Sequence, residues 1–162
     1  MKILFIGDVV GKPGRRAVRE LLPRIVNDRK IDFVIANCEN AASGFGVTRE
    51  IVEELFEDRI NILTSGNHIW DKKEVLDYIG EYEALLRPAN YPAEVPGHGS
   101  IVMPHPSGAY VGVLNLMGRV FMQPLECPFR TAIEEIERLR KKTKIIIVDI
   151  HAEATSEKIA LG

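Results

Sequence analysis

The chain alternates between short apolar runs and longer stretches with helical spacing. Residues 2–7 (KILFIG), 33–36 (FVIA), 60–63 (INIL) and 145–150 (IIIVDI) are nearly continuous in Ile, Val, Leu and Phe. Runs of that length without polar alternation predict strands buried on both faces, as in a parallel sheet. Residues 15–29, 48–59 and 71–79 instead carry apolar residues at helical intervals. In the second of these, Ile51, Val52, Leu55 and Phe56 form one stripe, with Thr48 placed to cap it. Pro23 lies inside the first and is expected to kink or split that helix. A further helix over 129–142 ends in a basic run that suits a helix C-terminus. Residues 87–128 break this rhythm with prolines and glycines. There, 101–103 and 110–116 read as strands joined in a hairpin across 104–109. The predicted class is α/β, with βαβ units first and a mixed or antiparallel part later.

Composition narrows the class further. A chain of 162 residues, 46% hydrophobic and 27% charged, fits one globular domain over 1–162. It excludes a disordered tail, a collagen-like rod and a disulfide-stapled miniprotein. Lys+Arg 21 against Asp+Glu 23 leaves a net charge of -2, so duplex DNA is not expected to be held by bulk charge. Cys38 and Cys127 form no framework and no CxxC pair, which points to a reducing compartment. The first apolar run meets Asp8 too soon for a signal peptide or a membrane span. A cytoplasmic chain without membrane contact is the expectation.

The chemistry collects where strands end. Asp8 follows the first run, Glu39 and Asn40 the second, Asn67 and His68 the third, and His151 the run at 145–150. In an open α/β sheet, sites form beyond the carboxyl ends of strands. Each residue has a plainer reading: a turn at Asp8, a solvated loop at 38–40, a helix cap at Ser65 or Asn67, a satisfied strand-end histidine at His151. Their coincidence at four strand ends argues for a ligand, because buried polar groups need partners. Carboxylate, amide and imidazole without a thiolate cluster suit Mn, Fe, Mg or Zn. Two carboxylates against two divalent ions would leave net positive charge, an attraction for phosphate. Gly7–Pro13 is no P-loop, since its glycine spacing is short and Pro13 stands where a Ser or Thr would hold magnesium. It lacks a dinucleotide fingerprint as well. No nucleophile-elbow motif is present, and Cys38 has no histidine beside it.

Gly66-Asn67-His68 after a buried strand resembles the core signature of calcineurin-like metallophosphoesterases. The segments GDVVGKPGRR (7–16), ANCENAASGFG (36–46), TSGNHIWD (64–71) and DIHAEATSEK (149–158) resemble the YmdB-like subgroup of bacterial phosphodiesterases. The resemblance implies a calcineurin-like α/β sandwich and a binuclear-metal phosphodiesterase acting on 2′,3′-cyclic nucleotides or related RNA-derived phosphodiesters. It implies two divalent or trivalent ions, iron or manganese ahead of magnesium or zinc. Asp8, Glu39, Asn40, Asn67 and His151 match metal ligands, with Glu39 bridging. His68 matches the general acid, acting with a metal-bridged hydroxide. Asp149, two residues before His151 on one strand face, would orient that ligand or simply bond local backbone. The wider superfamily carries Asp-x-His after its first strand; here Asp8-Val9-Val10 stands there, as in the subgroup.

The resemblance also implies a later Gly-x-His-x-His-type segment. Residues 155–161 read as the opening of another helix, so the chain is expected to be an N-terminal fragment with an incomplete sandwich. The surface left uncovered is expected to favour homo-oligomers. His98 and His105 are expected to be ordinary loop residues. The alternative function is a non-catalytic metal- or RNA-binding regulatory α/β module, in which Phe45, Tyr91, Phe121 and Phe129 could stack bases or pack in the core.

Overall fold

A computed structural model describes residues 1–162. In chain order the elements are β1 (Ile3–Asp8), α1 (Gly11–Arg29), β2 (Phe33–Asn37), α2 (Arg49–Glu57) and β3 (Ile62–Thr64). There follow α3 (Val75–Tyr78), β4 (Ser100–Pro104), β5 (Tyr110–Met117), α4 (Pro128–Arg140), β6 (Ile145–His151) and α5 (Thr155–Leu161). One sheet has the order β1-β2-β3, all parallel. The second has the order β4-β5-β6, antiparallel at β4-β5 and parallel at β5-β6.

Strand period two sorts the side chains into layers. Phe33, Ile35 and Ile62 from the first sheet meet Val111 and Val113 from the second, with Ile3, Ile101, Met103, Ile145 and Ile147 around them. The intervening residues Leu4, Ile6, Val34, Ala36 and Leu63 face outward onto α1 and α2, against Val18, Leu22, Val52 and Leu55. On the far side, Leu114, Leu116, Ile146, Val148 and Ile150 pack on Ala132 and Leu139 of α4. The order of layers is helix, sheet, sheet, helix.

Several expectations need correction. The apolar runs at 2–7 and 145–150 become edge strands that are only partly buried, whereas β2 and β3 are buried throughout. An apolar run reports its own composition, not how many strands flank it. The run at 60–63 pairs two residues later than expected, because Ile60 joins the helix-side core. Helix α1 runs unbroken through Pro23, which sits on the exposed face. The helix expected at 71–79 shrinks to one turn of α3 between two 3₁₀ segments, Asn67–Trp70 and Ile79–Glu81. Its apolar stripe survives as buried Val75, Tyr78 and Ile79. Thr48 caps α2 as expected, its hydroxyl accepting from Ile51 N at 3.4 Å. No helix is long and apolar enough to cross a membrane.

Candidate active site

The layer between the sheets turns from apolar to polar within two residues on β2, β3, β5 and β6. Asn37 follows Ile35, Thr64 follows Ile62, Asn115 follows Val113 and Asp149 follows Ile147, all of matching parity. Asn37 is the strand partner of Thr64, and Asn115 that of Asp149. The two pairs lock across the sandwich: Thr64 Oγ1 donates to Asp149 Oδ2 at 2.5 Å. Asn115 Nδ2 donates to the Ser65 carbonyl at 2.8 Å, while Ser65 Oγ donates to the Leu86 carbonyl at 2.7 Å. These bonds offset much of the desolvation of the seam, although Asn115 Oδ1 is buried without a partner.

Above this seam the expected residues converge. A bulge in the β1–β2 ladder passes over Gly7 and pairs Asp8 with Asn37. A bulge re-aims side chains, and Asp8, which simple alternation would send to the helix layer with Ile6, lines the site cavity. Asp8 Oδ2 accepts from Asn40 Nδ2 at 2.7 Å. The oxygen of that amide, Asn40 Oδ1, is buried without a partner. Glu39 is fully buried. Its Oε1 meets His151 Nδ1 at 2.7 Å and Asn37 Nδ2 at 3.4 Å, and its Oε2 accepts from the His68 backbone N–H at 3.1 Å.

Gly66 makes this approach possible. A Cβ there would lie 2.5 Å from Glu39 Oε1, 2.6 Å from Glu39 Oε2 and 2.5 Å from His151 Cγ. Any side chain would occupy the space of the carboxylate. Asn67 opens the 3₁₀ segment that follows and lines the same cavity with His68. The His68 ring donates or accepts through Nδ1 at 2.7 Å from Asp71 Oδ2, and Phe45 packs edge-on against it with centroids 5.3 Å apart. With Nδ1 occupied, Nε2 is the nitrogen free to serve a substrate.

Electrostatics follow from this crowding. Burial pushes the His151 imidazole down, but the Glu39 hydrogen bond and the charges of Glu39, Asp149 and Asp8 outweigh it, so its pKa lies above the ordinary value. Burial pushes Asp149 up, only partly offset by the Thr64 hydroxyl and by His151. Asp149 therefore bonds Thr64 across the sandwich and reaches His151 through charge. Burial and the Glu39 charge push the Cys38 thiol up, which keeps it out of thiolate chemistry.

His, Cys, Asp and Glu alone form no group of three that could hold an ion. The convergent set is mixed: carboxylates of Asp8 and Glu39, amides of Asn40 and Asn67, and the imidazole of His151. The orphaned Asn40 Oδ1, buried beside Asp8, is an acceptor that a cation would satisfy. The donor chemistry fits oxygen- and imidazole-seeking divalent or trivalent ions. Asp8, Asn40, Asn67 and His151, but not the deeper Glu39, open onto a cavity of about 580 Å³ that His68, Phe121, Met122, Gln123 and Glu153 also line. His98 and His105 lie elsewhere; His105 Nε2 sits 3.2 Å from Asp32 at the β4–β5 turn.

Sequence reading missed Asn37, Thr64, Asn115 and Asp71. Asn115 was visible as the one amide within an apolar strand, and Asp71 as the acid three residues after His68. Phe121 has no local signal that sets it apart.

A family model described as YmdB-like protein matches residues 4–162. Over its whole length the chain is 49% identical to a 2′,3′-cyclic-nucleotide 2′-phosphodiesterase of Bacillus subtilis, of which it covers 61%. It is similar to the crystal structure of a hypothetical protein from Thermus thermophilus (TM-score 0.87, 44% identity), covering 99% of this chain and 62% of that one. It is similar also to the crystal structure of a novel phosphatase from Mycoplasma pneumoniae (TM-score 0.90, 34% identity), covering 99% and 58% respectively. The chain thus spans about three fifths of the length of these relatives.

Proposed function

The chain belongs to the YmdB-like family, and on that premise we propose that it carries the core of a metal-dependent phosphodiesterase hydrolysing 2′,3′-cyclic nucleotides or related phosphodiesters, on a calcineurin-like sandwich. The carrying observation is the meeting of Asp8, Asn40, Glu39 and His151 at the ends of β1, β2 and β6, with a buried amide oxygen left free among them. The Bacillus subtilis relative bears the matching activity in its name. The helix, sheet, sheet, helix layering supports the fold assignment.

Asp8, Glu39, Asn40, Asn67 and His151 would hold two ions, iron or manganese ahead of magnesium or zinc. When bound, such ions supply positive charge that attracts an anionic diester and activates water for attack on phosphorus. Glu39 would be shared by the ions, and its carboxylate is fixed in the site by His151 and by the His68 N–H. His68 acts on the substrate. Asp71 holds Nδ1 and so orients the ring, leaving Nε2 to give its proton to the departing ribose oxygen as the phosphorus–oxygen bond breaks. The ring then stands neutral and regains its proton from solvent, to which it is partly open.

The test is metal analysis of the full-length protein together with turnover of adenosine 2′,3′-cyclic phosphate. Two ions per chain and release of a nucleoside monophosphate are expected. Loaded protein that leaves every 2′,3′-cyclic nucleotide intact overturns the reading.

A further inference from the structure

The turn after β5 lines the same cavity as the strand ends, through Phe121, Met122 and Gln123. Gly118 N donates to the His151 carbonyl at 2.8 Å, which ties the turn directly to a site residue. The buried carboxylate of Glu157, on α5, then accepts from Arg119 N at 3.0 Å and from Val120 N at 3.2 Å. Gly118 leaves no room for a Cβ against that carboxylate. The turn is therefore clamped at its base. At its tip stands Phe121, 91% exposed, with φ of 62°.

Both features are unfavourable for the protein alone. A large apolar ring gains from burial, and a bulky residue in the left-handed region is a genuine outlier that persists only where its surroundings impose it. Strain and exposure together at a cavity wall suggest a ligand. Apart from Met122 the rest of the lining is polar: Asp8, Asn40, Asn67 and His151 suit ions, His68 suits a phosphate, and Glu153 adds a further carboxylate. A nucleotide has a second, flat apolar part that these groups do not recognise. Aromatic rings take such π-faces without regard to sequence.

We propose that Phe121 is a nucleobase platform: its exposed ring stacks on the base of a nucleotide whose phosphodiester lies over Asn40, Asn67 and His68. The assignment rests on the phosphodiesterase reading above. It makes Phe121 a determinant of affinity for nucleosides, distinct from the groups that act at phosphorus.

The test compares Phe121→Ala with the metal-loaded, full-length wild type on two substrates. One is adenosine 2′,3′-cyclic phosphate; the other is the 2′,3′-cyclic phosphate of methyl riboside, which has no base. Loss of stacking should raise KM for the adenosine diester on the order of 10-fold, with kcat nearly unchanged. KM for the methyl riboside diester should not move. Binding of adenosine 3′-monophosphate, followed by calorimetry, should weaken by the same factor, and Phe121→Trp should restore it. Equal changes for both substrates, or none, overturn the platform while leaving the phosphodiesterase reading intact. A change in sedimentation with KM unmoved also overturns it, by showing that the ring meets protein. Failure of the wild type to cleave either diester overturns the phosphodiesterase reading, and the platform with it.

Discussion

The layer between the two sheets has two ends that share strands, face and burial, and differ only in chemistry. At one end Phe33, Ile35, Ile62, Val111 and Val113 form a dry apolar core. At the other, Asn37, Thr64, Asn115 and Asp149 occupy the next positions of the same alternation. The apolar end gains from removing surface from water; the polar end must first recover the cost of desolvation through hydrogen bonds. It does so with bonds that cross the sandwich, from Thr64 to Asp149 and from Asn115 to Ser65. The polar end therefore works as a floor, and above it His68 keeps Nε2 free while Asn40 keeps its amide oxygen unpartnered. One end holds the molecule together, and the other holds the site in place.

That division can be broken at several points. The largest effect is expected above the floor: His68→Ala should lower kcat by about 10²–10⁴-fold in the loaded full-length protein, the usual worth of a positioned acid. Metal content and melting temperature should be unchanged, because the His68 side chain is partly exposed and bonded only to Asp71. Loss of the ions in this variant would move His68 into the ligand set. At the apolar end the reverse holds. Ile35→Ala, at a position with no exposed surface, should cost about 2–5 kcal/mol in denaturant unfolding. Turnover per folded molecule should remain near that of the wild type.

Between these lies the floor itself. Thr64→Val removes the donor to Asp149 while keeping the shape, and should cost about 1–3 kcal/mol of stability. It should also weaken metal binding modestly, since Asp149 bears on His151 through charge. A stability loss without any change in metal affinity would reduce Thr64 and Asp149 to scaffolding. The smallest effect is expected far from both ends. Arg24→Ala breaks an exposed pair with Asp28 on α1 and should shift stability by less than ~0.5 kcal/mol.

Much of this was legible along the chain. The strand ends at Asp8, Asn40, Asn67 and His151 announce themselves as polar residues closing apolar runs, and all four line one cavity. The glycine before Asn67 was legible as part of a motif, although its reason, the Glu39 carboxylate standing where a Cβ would be, was not. The polar seam was hidden for a simple reason. Where both faces of a strand are buried, the sequence reads as one apolar block, and nothing marks the face shared by Ile35 and Asn37 as the one turned to the second sheet.

Local order, the α/β class and the residue types of the site are properties of the sequence, because periodicity and turn chemistry act over a few neighbours. The depth of each strand was decided by its surroundings: β1, β3 and β6 all end the order of their sheets, yet only β3 is buried throughout, where Leu63 meets Leu85 beyond it. Tertiary structure alone also chose the bulge that turns Asp8 into the site, the pairing of Thr64 with Asp149 across 85 residues of chain, and the clamp that leaves Phe121 facing solvent. Each depends on the distance between groups far apart in sequence, and that distance exists only once the two sheets have closed on one another.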